Sequence, residues 1–425
     1  MHYLSKIALP RLWLAVFFGL CWPLSFSAAH AETAADLHED VVVTNPHLTL
    51  HEVLQKTFER NPQQYVLSAM HGEAQARYSQ ARGMLPSAPA MTFRHQNDTL
   101  GSGRGEREWE AEMELPVWLS GQRNARLSLA DQTEASVAAG KNGLLLQVAG
   151  VLRDALWDMA MNAEQVTLYT ARLDTARKLE HDVLRRYQAG ELAKTDWMLT
   201  QNDTLQAQAG LLKAEAELKH AKHRYIALTG QNELPANYTE VLSQLEALNE
   251  QHPLLLEWNA KIEATQSERN LVALERRDNP QVILSTRTIR GGFDNQFNDS
   301  VGIKIRIPFS TETRNAPLLA AAESNIAKNV AELERLKLAM STQLHEAEHN
   351  LQVTQAELTL VKQQHQLAQE NARLANKAFA LGEADLVSLM RVQALAFDAE
   401  RAVSLKTIQH QWDIARYNQA VGVLP

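Results

Sequence analysis

The sequence predicts a mainly α-helical chain with a small β part. One helix–β-hairpin–helix unit is written twice, and its strands can close a barrel only when several copies associate. Three observations carry this. Short stretches recur in the same order about 192 residues apart. Two very long segments keep the 3-4 apolar spacing of coiled coils. Four short segments alternate between apolar and polar residues.

The repeat is read first. Asn61-Pro62 returns as His252-Pro253, and Leu85-Pro86 as Asn279-Pro280. Glu114-Leu115-Pro116 returns as Arg306-Ile307-Pro308, and Gln122-Arg123-Asn124-Ala125 as Thr313-Arg314-Asn315-Ala316. Ala189-Gly190-Glu191 returns as Leu381-Gly382-Glu383. Arg224-Tyr225 and Thr229-Gly230 return as Arg416-Tyr417 and Val421-Gly422. One coincidence would mean little, but six in order indicate duplication. The expected divisions are residues 1–31, a signal peptide; 32–46, an N-terminal extension; 47–235, the first repeat; and 236–425, the second.

Each unit opens with a predicted helix of about 35 residues (Leu48 to Gly83; Val241 to Arg277), ended by a proline-marked break. Two strands follow, at about 91–97 and 108–117 in the first unit and about 281–290 and 300–309 in the second. A long helix comes next (Gly121 to Tyr187; Asn315 to Phe379). A Gly-Glu turn, at about 188–195 and 380–386, then reverses the chain into a return helix (Thr195 to Leu228; Asp385 to Ala420). At ~1.5 Å per residue, ~67 residues make a rod of roughly 100 Å. A conduit crossing the periplasm needs such a rod.

The strands read as barrel strands. Trp109, Ala111, Met113 and Leu115 alternate with Glu108, Glu110, Glu112 and Glu114. Val301, Ile303, Ile305 and Ile307 alternate with Gly302, Lys304 and Arg306. A small closed core could not solvate four glutamates, but a water-filled lumen could. Arg94, Lys304 and Arg306 are expected to face the same lumen and partly offset them. Four strands cannot close a barrel, since the smallest outer-membrane barrels have about eight. Two copies leave too narrow a lumen for transport, whereas three give twelve strands. A homotrimer in outer-membrane lipid is therefore expected. The loops Asp98 to Arg107 and Gly291 to Ser300 would be its extracellular turns.

Composition sets the exclusions. Lys6 and Arg11 precede a short apolar run, Leu12 to Trp22, and Ala29-His30-Ala31 is a small-x-small cleavage site. The one cysteine, Cys21, lies within that signal, so the mature chain is expected to carry no disulfide, thiolate metal site or cysteine catalysis. Downstream, no stretch of ~20 apolar residues is expected, so any membrane passage would be a barrel. The formal net charge of −8 argues against a nucleic-acid partner.

These residues resemble the TolC family of outer-membrane factors over nearly all of the mature chain. The resemblance is carried by Leu115-Pro-Val-Trp-Leu-Ser-Gly-Gln-Arg123, by Tyr187-Gln-Ala-Gly-Glu-Leu-Ala-Lys-Thr-Asp196 and by Phe379-Ala-Leu-Gly-Glu-Ala-Asp-Leu386. It implies a trimer with a twelve-stranded outer-membrane β-barrel on a long periplasmic α-helical barrel. It also implies a tripartite efflux system, completed by a periplasmic adaptor (membrane-fusion) protein and an inner-membrane RND-type transporter, with no cofactor. The tip turns Gly190, Glu191, Leu192 and Gly382, Glu383, Ala384 would meet the adaptor. A plain helix C-cap reading of both glycines agrees with this. Family members carry aspartates six and nine residues after the second tip glycine, narrowing the closed pore. Here Ser388 and Arg391 stand there, with Asp385 nearby, while Asp196 keeps an acid in the first tip. The first of the quoted segments is more similar to the branch that exports cobalt, zinc and cadmium or copper and silver.

Rival readings remain. The channel could serve drugs and organic solutes or type I secretion, and the chain could instead be a periplasmic coiled-coil structural protein. His345-Glu346-Ala347-Glu348-His349 matches the H-E-x-x-H of zinc proteases. It falls on a long charged helix, off its apolar stripe, with no third ligand, and a non-enzyme is expected. His220 and His223 form a second pair, more simply read as a solvated helix face.

Overall fold

The computed structural model describes residues 41–245, 247–309 and 311–425. The expected signal sequence, its cleavage site and Cys21 lie outside the described residues. The elements are β1 (Val43–Asn45), α1 (Leu50–Arg60), α2 (Gln63–Arg82), β2 (Ala90–Asn97), β3 (Arg107–Pro116), α3 (Gln122–Gln188), α4 (Lys194–Thr229), β4 (Glu233–Pro235), α5 (Pro253–Leu274), β5 (Gln281–Arg290), β6 (Asn298–Arg306), α6 (Glu312–Ala380) and α7 (Leu386–Ala420). The order α2-β2-β3-α3-α4 is repeated as α5-β5-β6-α6-α7.

Three sequence expectations need correction. The first helix is not continuous. It breaks at Asn61-Pro62, where the Asn61 side chain accepts the Gln63 N–H at 2.9 Å and Pro62 becomes the N-cap of α2. A mid-helix proline would clash with the preceding turn, so the chain starts a new helix instead. In the second unit, residues 241–245 and 247–252 are irregular and α5 starts at Pro253, a favoured first helical residue. The irregular segment is held by Asn418, which accepts the Ser243 N–H at 2.9 Å and donates to the Val241 carbonyl at 2.9 Å. Finally, one stretch of α3 is long and apolar enough, by length and composition, to cross a membrane, and half of it is buried within the protein. It is apolar because the largest core gathers on it. Leu152, Leu156 and Met159 pack there with Val53, Leu54 and Phe58 of α1 and Tyr225 of α4.

The parallel pair β1–β4, in which Val43 is opposite Glu233, was not among the expected elements. It ties the start of the described chain to the end of the first unit.

A buried charge lies next to this core. Arg153 of α3 is 2% exposed and makes a bidentate pair with Glu240, at 2.7 and 2.6 Å. It also donates to Gln419 Oε1 at 2.5 Å and to the Val423 carbonyl at 2.9 Å. Asn418 donates to the same Glu240 at 3.1 Å. The linker between the units and the end of α7 are thus fastened to α3 by one guanidinium.

The second sheet has the order β2-β3-β5-β6, antiparallel throughout. Its outer strands, β2 and β6, have no partner on their free edges among the described residues.

Candidate functional site

The register of the four-stranded sheet sets its two faces. Glu110 is opposite Arg94 on β2 and Arg287 on β5; Glu112 is opposite Thr92 and Ser285; Ile283 is opposite Glu114 and Lys304. Burial is inverted relative to a soluble sheet. Glu108 is 6% exposed, whereas its neighbour Trp109 is 56% exposed. Met91, Phe93, Val301, Ile303 and Ile305 are also exposed. The sheet curls around its charged face and turns its apolar face outward, the arrangement of a barrel wall in lipid.

The charged face is more neutral than the sequence suggested. Arg287 Nε contacts Glu108 at 2.7 Å, and Arg94 approaches Glu110 at 3.6 Å. Lys304 bonds Glu112 and lies 3.8 Å from Glu110, and Arg306 is 3.9 Å from Glu114. Each of the four glutamates has a cationic neighbour, so this face offers no strong acidic field to a passing cation. Sequence reasoning missed Arg287 because Ile283 and Ile289 share its face and blur the alternation of β5.

The two tips have one geometry. Gly190 has φ +83° and Gly382 φ +77°. Glu191 N–H bonds the Arg186 carbonyl at 2.9 Å, and Glu383 N–H bonds the Ala378 carbonyl at 2.9 Å. Gly190 and Gly382 N–H groups close the inner bonds to Tyr187 and Phe379 at 3.0 and 3.1 Å. These are Schellman caps, which need a left-handed residue and therefore favour glycine. Leu192 and Ala384 pack into the small core of Leu179, Val183, Phe379, Leu386 and Leu389, while Glu191 and Glu383 are exposed. Arg186 joins the tips, stacking over the Phe379 ring at 4.8 Å.

The acids named as possible gate residues both serve helix starts. Asp196 accepts the Ala193 N–H at 3.2 Å. Asp385 is the N-cap of α7, accepting the Ser388 N–H and hydroxyl, each at 2.8 Å. Those two bonds hold the Asp385 carboxyl below its ordinary value of 3.8. The cap's contribution is therefore complete above that value and is lost as pH falls below it through the folded-state value. Amide exchange at Val387 and Ser388 should accelerate at such acid pH, and Asp385→Asn should flatten the response. Arg391 is exposed on α7. The structure brings Asp385 and Ser388 together, and Asp196 lies at the start of α4, beside Trp197 of the small core shared by the tips.

A β-branched residue at either tip glycine would meet open space, since no heavy atom lies within 4 Å of its Cβ. Only the backbone would be strained, by ~1–2 kcal/mol. Gly382→Val and Gly190→Val should therefore leave the barrel folded and inserted, yet reduce efflux in a complemented deletion strain. Wild-type efflux in both variants would argue against tip docking.

His345, Glu346 and His349 are exposed on α6, and His220 is exposed on α4. No group of three metal-binding side chains exists within one chain among the described residues.

No protein-family model matches the chain. It is 25% identical over 310 residues to the cobalt-zinc-cadmium resistance protein CzcC of Cupriavidus metallidurans, covering 70% of this chain and 72% of that protein. The fold is that of the outer-membrane protein VceC from Vibrio cholerae, with a TM-score of 0.68 at 16% identity over 88% of this chain and 96% of that one. The chain thus shares the fold of outer-membrane channel proteins and is similar in sequence to CzcC. Two further solved channels share its fold. CusC superposes with a TM-score of 0.69 at 13% identity, over 90% of this chain and 93% of its own. The open-state MtrE channel of Neisseria gonorrhoeae does so with 0.67 at 13% identity, over 90% and 91%. Of these solved proteins, VceC and MtrE are outer-membrane proteins.

Proposed function

We propose that three copies of the chain, after loss of residues 1–31, form one tube that passively conducts heavy-metal cations to the exterior. A periplasmic adaptor meets its tips, and an inner-membrane RND-type transporter supplies the energy. The observation that carries the assembly is unequal burial between the two repeats. Leu146 and Leu168 of α3 are 0% and 4% exposed, whereas their counterparts Leu338 and Leu360 of α6 are 72% and 64% exposed. On α3 this face is covered; on α6 it is bare.

A second bare stripe matches it. Leu360, Leu367 and Leu374 recur every seven residues on α6, and Met198, Leu205 and Leu212 recur every seven on α4, all exposed. Heptad-spaced apolar rows are what a neighbouring helix covers. Both rows begin within about two turns of a tip. Laid antiparallel, Leu374 falls opposite Met198, Leu367 opposite Leu205 and Leu360 opposite Leu212. The free edges of β2 and β6 would pair in the same assembly, completing twelve strands.

The metal cargo rests on the likeness to CzcC and not on the sheet, whose charges are paired. A deletion strain should become sensitive to cobalt, zinc and cadmium. Sensitivity to dyes and detergents instead would assign an organic cargo. The seam is tested by Leu360→Cys with Leu212→Cys in a chain whose single natural cysteine is Cys21. Oxidation should yield a trimer that survives SDS. Only monomer under those conditions would refute the seam.

A further inference from the structure

We infer that the seam between copies holds a transition-metal site built from His345 and His349 of one protomer and His223 of the partner subunit. The inference rests on the trimeric reading. The register that sets Leu360 opposite Leu212 continues away from the tip, bringing Val353 opposite Lys219 and then His349 opposite His223. Val353 is exposed, like the leucines of its row. At ~3.6 residues per turn, His349 lies on the side of α6 that carries Val353 and Leu360, with His345 one turn further along. By the same count His223 lies on the row of Leu205 and Leu212. Histidines at i and i+4 sit ~6 Å apart on one helix face, which suits chelation of a single ion.

The counterpart seam inside the protomer supports this placement. Shifted by the repeat, His345, His349 and His223 correspond to Arg153, Trp157 and Ala415, all three buried. Arg153 reaches Gln419 of α7 at 2.5 Å, and Asp154 meets Trp412 and Arg416, an antiparallel pairing within about two turns of that register. At this height α3 is covered by Gln419 of α7 together with Tyr238 and Glu240 of the linker, which pack on Trp157 and Arg153; the α6–α4 contact would bury the corresponding face between copies. One seam holds a guanidinium paired with Glu240, and the other holds three imidazoles. Within one chain no metal-binding group of three exists among the described residues, so the site is complete only where two copies meet. Imidazole ligands suit zinc, copper, nickel and cobalt. Three histidines and a water complete a tetrahedral zinc shell.

The test uses the full-length, untagged protein purified in detergent and stripped with chelator. Its mass is first measured by light scattering without metal, and a mass other than the trimer's overturns the trimeric reading itself. With a trimer in hand, Zn2+ titration should give one ion per protomer, and Co2+ should give the intense visible absorption of a tetrahedral site. His349→Ala and His223→Ala should each weaken Zn2+ binding at least about tenfold. Zn2+ should also raise the temperature at which the wild-type trimer dissociates, but not that of His223→Ala. Unchanged binding in His349→Ala overturns the site. Binding lost in His349→Ala but retained in His223→Ala overturns it as well, since the ion would then sit on one helix alone.

Discussion

Arg153→Ala should lower the stability of the helical part by about 3–5 kcal/mol, the usual consequence of removing one partner from a buried ion pair. Arg153 is 2% exposed and bonds Glu240, Gln419 and the Val423 carbonyl, so its loss leaves Glu240 buried without its cation. Asn418 alone would then satisfy that carboxylate. Thermal melting followed by circular dichroism in detergent reads the effect. Replacing both partners, as Arg153→Met with Glu240→Leu, should recover most of the loss, because two apolar side chains leave no charge stranded. A single variant as stable as the wild type would show that water reaches this site freely.

Ile303→Arg should impair the barrel by about 2–4 kcal/mol, the cost of a cation facing lipid near the bilayer midplane. Ile303 lies midway along β6 and is 70% exposed. On a water-facing surface the same change would cost at most about 0.5 kcal/mol. Heat-modifiable migration and denaturant unfolding in lipid vesicles would measure the difference, with Ile303→Val as the control. A neutral Ile303→Arg would place this face in water and refute the barrel orientation.

Long-range periodicity made most of the architecture legible. The helices α3, α4, α6 and α7 lie within a few residues of their expected limits, because a seven-residue rhythm sustained over many turns has few alternatives. The strands were readable for the same reason, since Glu108 to Leu115 alternates without interruption. What escaped the sequence was set by contacts distant along the chain. Residues 241–252 carry enough apolar residues to resemble a helix, but Asn418, far away in sequence, binds their backbone first. β1 and β4 have only three residues each, too short for any period to show. The pairing of Glu108 with Arg287 depends on strand register, and the burial of Arg153 depends on a linker and a C-terminal helix end. Neither leaves a local pattern.

The inverted burial of the four-stranded sheet bears on biogenesis. A lone protomer carries a greasy outer face and two unpaired strand edges, both of which invite wrong partners. Its helices can pack as soon as they are made, but in the trimer proposed above its sheet would be finished only by other copies and by lipid. On that proposal, chains would gain from being escorted until they meet, and the yield of closed barrels should depend steeply on their local concentration. Overproduction without matching escort would favour aggregates seeded at β2 and β6.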